Sequence, residues 1–262
     1  DLDALWRAYL GQQLTGHSSV GGELTMQGPL RYRRQWRLDG TGTDVAIELE
    51  YTKLHSQGPV HFTYADQTAL IEPAHFVGVD TDAVGHGSIH FAGEQELDLA
   101  ADGKVDLKLF GGMVPDLTAS GLTTIHVMLT GTLNDPLPQG SIEVHNGAAS
   151  YAGLPSGLSE MNGTLSFTRD RLHIDQLTAR TGGGTLDLKG DATNYNHQLN
   201  FNFTAVGKEV RLRYPPGVSS TADAELHWVG SRSSSLVSGD AMVTKLAVTP
   251  GFDFGSYLEH SR

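Results

Sequence analysis

The chain has 262 residues, long enough for one large or two ordinary domains whose core needs no covalent staples. Eighteen basic against 30 acidic residues leave a net charge of −12, which repels phosphate backbones and argues against DNA or RNA as the main partner. Zero cysteines exclude disulfides, thiolate zinc sites and cysteine nucleophiles, while 32 glycines with only 18% charged residues imply a chain dense in turns.

The opening "DLDALWRAYL" places Leu2, Leu5, Trp6, Tyr9 and Leu10 at helical spacing, with Asp1 or Asp3 as N-cap. One short amphipathic helix with a linker is expected over residues 1–19. "RYRRQWR" then gathers Arg31, Arg33, Arg34 and Arg37 around Tyr32 and Trp36, a basic and aromatic mixture suited to headgroup phosphates or a partner chain. The plainer reading is a solvated strand with a buried Trp36.

From about Val20 the apolar period switches to two. Val45, Ile47, Leu49 and Tyr51 alternate with Ala46, Glu48 and Glu50, and Val60, Phe62 and Tyr64 with His61 and Thr63. Leu97 and Leu99 lead through Asp102-Gly103 into Val105, Leu107 and Leu109, which predicts a hairpin turning at Asp-Gly, and Asn146-Gly147 predicts a second such turn. The pattern Gly-x-apolar-x-apolar-x-Gly recurs at Gly22 to Gly28, Gly87 to Gly93 and Gly184 to Gly190, with near-copies from Gly140 and Gly163. Uneven spacing between copies argues against a fixed-period solenoid and for one sheet built by adding similar strands. Alternation gives one apolar and one wet face but leaves open whether the apolar face is sealed in a barrel or sandwich, or open.

Reactive constellations are missing. There is no Gly-x-Ser-x-Gly elbow, His-Glu-x-x-His or phosphate loop; "TGGGT" at Thr181 to Thr185 lacks the following Lys-Ser/Thr pair and reads as a turn. "DTDAVG" at Asp80 to Gly85 starts like a calcium loop but has Val84 and Phe91 where ligands belong. His86 and His90, two of twelve histidines, would lie about 13 Å apart on a strand, too far to share a metal. Glu94, Glu96 and Asp98 fall on the polar phase of a strand and match ordinary surface as well as a glycosidase pair. No enzyme activity, cofactor or metal is expected.

The stretch from Gly131 to Gly190 resembles the repeat unit of the TamB and AsmA-like envelope proteins of Gram-negative bacteria. Gly131-Thr132-Leu133 with Asp135-Pro136, Asn146-Gly147, Gly163-Thr164-Leu165-Ser166-Phe167, Leu172-His173-Ile174 and the triple glycine before Leu186 and Leu188 carry the likeness. "VRLRYPPGVSSTADAELHWVG" and "LVSGDAMVTKLAVTPGFDF" resemble the segment leading into that family's C-terminal domain. Residues 121–262 carry the stronger match and residues 20–120 the weaker one.

The resemblance implies an all-β protein: an elongated open sheet curled into a taco-like half-pipe with a hydrophobic groove. Family members are anchored in the inner membrane, cross the periplasm and are thought to pass phospholipid to the outer membrane, and some act with a barrel assembly protein of the TamA type. This chain is then expected to be an internal piece of a longer protein, with anchor and C-terminal domain outside it. The implied groove wall is Leu165, Phe167, Leu172, Ile174, Leu186 and Leu188, with Leu24, Met26, Ile89, Phe91, Leu107, Leu109, Phe201 and Phe203 as counterparts. Roughly twenty strands would make a segment on the order of 100 Å long.

Overall fold

The computed structural model describes residues 16–29, 31–32, 35–49, 52–111, 116–152, 156–195, 198–214 and 216–250. The apolar alternation becomes fifteen strands of one antiparallel sheet. They are β1 Gly16–Gln27, β2 Arg37–Leu49, β3 Thr52–Ser56, β4 Val60–Ala65, β5 Thr68–Gly78, β6 Thr81–His90, β7 Glu96–Asp106 and β8 Leu117–Gly131. There follow β9 Pro136–Tyr151, β10 Leu158–Thr168, β11 Arg171–Thr181, β12 Gly184–Tyr195, β13 Gln198–Leu212, β14 Val218–Ser231 and β15 Ser235–Val248. A single helical turn, α1, covers Lys108–Gly111.

Apart from β3 and β4, which do not pair with each other, each strand pairs with its neighbours in sequence, so the topology is a meander. β3 and β4 share one position: β3 pairs Ala46–Leu49 of β2, and β4 pairs Leu38–Gly42 of the same strand. β1, β4, β6, β8, β10, β12 and β14 end at an upper rim, and β2, β5, β7, β9, β11 and β13 end at a lower one. Among the described residues β1 pairs only β2 and β15 only β14, so the sheet does not close.

Register keeps one parity from edge to edge. Leu24 opposes Gly40, Gly40 opposes Phe62, Phe62 opposes Ile71, Ile71 opposes Gly87, and Gly87 opposes Leu99. Further along, Gly140 opposes Phe167, Phe167 opposes Leu172, Leu172 opposes Ala192 and Ala192 opposes Phe201. All the buried hydrophobic side chains, from Val45 and Val60 through Ile125, Val144 and Met161 to Ile174 and Ala179, share this face. Bulges, such as those between Ile174 and Leu177 and between Gly207 and Val210, reset the parity so that apolar residues stay on it.

Among the described residues no second layer covers the apolar face: extensive contacts join only neighbouring strands, apart from α1 on β8. A flat single sheet would expose both faces about equally. Val144 at 4% and Ile174 at 5% exposure therefore report a sheet curled with its apolar face concave. Exposure rises toward the edges, to 60% at Leu24 and 58% at Val243, where the curl has fewer flanking strands to cover it.

Glycine makes the curl possible. Gly40, Gly87, Gly103, Gly163, Gly190 and Gly239 all lie on the concave face, where a curled sheet crowds its side chains. At Gly87, whose φ is 142°, an added Cβ would lie 2.7 Å from Leu99 Cα. Phe62 and Phe203 spread their rings over the glycines opposite them, Gly40 and Gly190.

Several expectations are corrected. Asp102-Gly103 is no hairpin: β7 runs unbroken, and Gly103 pairs Ala83 on one side and Ile125 on the other. Asn146-Gly147 lies inside β9, where Asn146, with φ 50°, forms a bulge and donates its amide to Asn162 Oδ1 at 2.9 Å. Leu107 and Leu109 are not strand residues; the chain turns at Leu107 and Leu109 lies in α1. β1 begins at Gly16, inside the stretch assigned to the helix and linker, whose residues 1–15 lie outside the described residues. With β3 and β4 sharing a position, the strands span about 60 Å along the hydrogen-bonding direction rather than the 100 Å expected.

Candidate functional site

The concave face of β9 to β13 is the most continuous apolar surface. Leu165 opposes Ile174, Phe167 opposes Leu172, and Leu188 opposes Leu177, so the expected wall residues of β10 to β12 form one contiguous lining. Val144, Met161 and Ala179 form its buried floor, with Leu107, Ile142, Leu158, Leu165 and Leu186 packed around them. Leu107 thus reaches the lining from the turn after β7 rather than from a strand.

Phe201 and Phe203 continue the lining onto β13, with ring centroids 6.1 Å apart. Trp228 on β14 packs on Phe201 at 4.7 Å and on Phe203 at 6.2 Å, completing an aromatic cluster toward the β15 edge. Sequence reasoning missed Trp228. Its signal was the alternation of Leu226 and Trp228 with Glu225 and His227, read from the strand opposite.

Toward the other edge, Ile89 lies on the concave face of β6, and Phe91, just past its end, sets its ring 6.3 Å from Tyr64. Leu24 and Met26 are on the same face of β1, more exposed than the rest. A pocket of about 520 Å³ opens at the lower rim beside α1, lined by Leu117, Ala119, Ala149 and Leu158 with Lys108. Asp106 anchors that corner: its Oδ1 accepts the Lys108 amide at 3.0 Å, and its Oδ2 lies 3.5 Å from Lys108 Nζ.

The convex face is the chemical opposite. His61, His75, His86, His90, His126, His145, His173 and His227 all fall on it, most facing a threonine or carboxylate on the next strand. His75 Nε2 lies 2.7 Å from Asp82 Oδ1, His126 Nδ1 2.8 Å from Asp102 Oδ1 and His173 Nδ1 2.7 Å from Asp191 Oδ1. Arg171 also donates to Asp191, from Nε at 2.8 Å and from Nη2 at 2.7 Å. Burial pushes the Asp191 carboxyl up, but the hydrogen bonds from His173 and Arg171 outweigh it and hold the group below its ordinary value.

His86 and His90 sit on the convex side of β6, and no group of three or more metal-type side chains comes together among the described residues. Glu94 is in the turn before β7, with Glu96 and Asp98 on its convex side. The "TGGGT" stretch is a turn through Gly182 and Gly183 that joins β11 to β12. Asp80 sits in the turn before β6.

Arg31 and Arg37 are exposed at the upper rim beside β1, while Arg33 and Arg34 lie outside the described residues. Trp36 is half-buried in the loop, not buried in a strand, because its Nε1 donates to the Pro29 carbonyl at 3.0 Å and ties the loop to itself. The concave face offers volume and apolar contact; the convex face and rims carry the charge.

Comparison of the chain with family models, with curated proteins and with solved structures finds no match.

Proposed function

We propose that the concave face is a lipid conduit: acyl chains lie in the apolar trough while charged headgroups stay in water at the rims. The observation that carries this reading is the unbroken apolar parity from β1 to β15 on a face that no second layer covers among the described residues. Burying an acyl chain gains about 0.8 kcal/mol per methylene, so such a surface holds lipid tails without polar recognition. Desolvating a phosphate would cost several kcal/mol or more, which keeps the headgroup outside.

Together with the resemblance of residues 121–262, this supports a segment of a periplasmic TamB-like protein that moves phospholipid from inner to outer membrane. Its parent would be anchored in the inner membrane of a Gram-negative bacterium. Neither catalysis nor a cofactor has a part in the proposal.

A second reading rests on β15. This 14-residue edge strand has only Asp240 and Lys245 as charges and leaves Val237, Val243 and Leu246 exposed. Such an edge accepts an added strand, which suits a scaffold that assists outer-membrane protein assembly with a TamA-type barrel.

Mass spectrometry of molecules co-purifying with the chain, followed by lipid transfer between vesicles, separates the two. The conduit predicts near-stoichiometric phospholipid, and transfer lowered more than about tenfold by Leu165→Asp with Phe167→Asp, because each puts a charge into the lining. Transfer that survives both changes rules the conduit out, and a lipid-free chain that captures strand peptides supports the scaffold.

A further inference from the structure

The lower corner of the sheet at β13 to β15 combines a row of exposed cations with a row of exposed apolar side chains. Lys208 and Arg211 on β13 and Lys245 on β15 lie on the convex face, and Arg213 follows β13 directly; all four are exposed. Arg211 and Lys245 flank Thr221 from either side, which sets their backbones about 10 Å apart. None of the four forms an ion pair among the described residues, whereas Lys53, Lys108, Arg171 and Arg180 do. Of the nearby acids, Asp223 already accepts the Glu209 amide at 2.7 Å.

One residue along, the concave side repeats the row in apolar form. Leu212 and Leu246 flank Ser220, and Tyr214 follows, at 41%, 62% and 68% exposure respectively. Cation and apolar side chain therefore alternate along Arg211, Leu212, Arg213 and Tyr214.

We propose that this corner docks on an anionic lipid bilayer. Leucines and a tyrosine at a projecting rim enter the boundary between headgroups and acyl chains, while adjacent cations meet lipid phosphates. An acidic polypeptide would satisfy the cations but leave those aliphatic groups in water, so a bilayer fits both rows. The net charge of −12 does not oppose this. At physiological salt, charges farther than about 8 Å are largely screened, and the local sign at the corner decides. The proposal goes beyond the conduit reading and does not depend on it.

Flotation of the full chain with vesicles of phosphatidylcholine, alone or mixed with phosphatidylglycerol, tests it. The chain is expected to float with the mixed vesicles only, and less as salt is raised. Arg211→Gln with Arg213→Gln should lower partitioning about 25-fold, taking each cation at an anionic surface as worth about fivefold. These exposed changes leave the fold intact by circular dichroism, and Leu246→Ser should weaken binding without changing its salt dependence. Equal flotation with both vesicle types, or a double variant that partitions like the original chain, overturns the proposal. So does capture of soluble polyglutamate in place of vesicles, which would assign the corner to an acidic protein. Leu165→Asp with Phe167→Asp should lose lipid transfer yet still float, so failure of the conduit and failure of the docking surface give different results.

Discussion

His173 and Ile174 are neighbours in the chain and opposites in surroundings. His173 meets Asp191 on the convex face, and Ile174 is buried on the concave face against Leu165. Ile174→Ala should therefore cost about 2–4 kcal/mol in chemical denaturation, since it leaves a cavity, whereas His173→Ala removes an exposed pair worth less than about 1 kcal/mol. Equal costs would mean the faces are misassigned. Asp191 adds a pH signature. Its carboxyl is held below the ordinary 3.8, so its contribution is present above that value and is lost as pH falls through the lowered one. Asp191→Asn should lower stability at neutral pH and remove part of the loss that the original chain shows below pH 3.8; an unchanged acid limb would contradict the network. Which face Ile174 takes was legible in the sequence, because period-two alternation assigns every second residue. The His173–Asp191 pairing was not, since register between strands is set by bulges that single-sequence spacing does not reveal.

Among the elements, β7 and β9 teach the clearest lesson. Asp102-Gly103 and Asn146-Gly147 carry the composition of a tight turn, yet both strands run through them because neighbours occupy both backbone edges. Gly103 serves the curl, and Asn146 the bulge. Gly163 on β10 tests this account of concave glycines: its φ is 157°, and an added Cβ would lie 2.8 Å from Leu177 Cα. Gly163→Ala should destabilise by more than about 1 kcal/mol, measured by urea titration, where Gly→Ala in a compatible site would stabilise. A stabilised variant would show that the sheet relaxes its curl without loss. The α1 turn was illegible for a different reason: Leu107 and Leu109 keep the strand alternation, and only the Asp106 cap and packing of Leu107 on Val144 and Met161 end the strand.

As a whole, the molecule is a row of strands in which each packs almost only on its neighbours. Such quasi-linear architectures gain stability from successive interfaces and can lengthen without changing cross-section, as a conduit requires. With fourteen strand positions, β1 and β15 run in opposite directions, so a strand added at either edge keeps both the antiparallel order and the apolar side. The all-β sheet was legible from alternation, but its open, curled form was not, because period two reads the same in a barrel; that form was an expectation from the resemblance alone. The proposed conduit requires lipid tails to occupy the concave face alone. A photo-reactive phenylalanine analogue placed in turn at Phe167, Leu188 and Phe203, and at their convex neighbours Ser166, Asp187 and Asn202, tests it directly during lipid loading. Phospholipid adducts at the first three and none at the second three are the predicted result; adducts on both sets, or on neither, would contradict it.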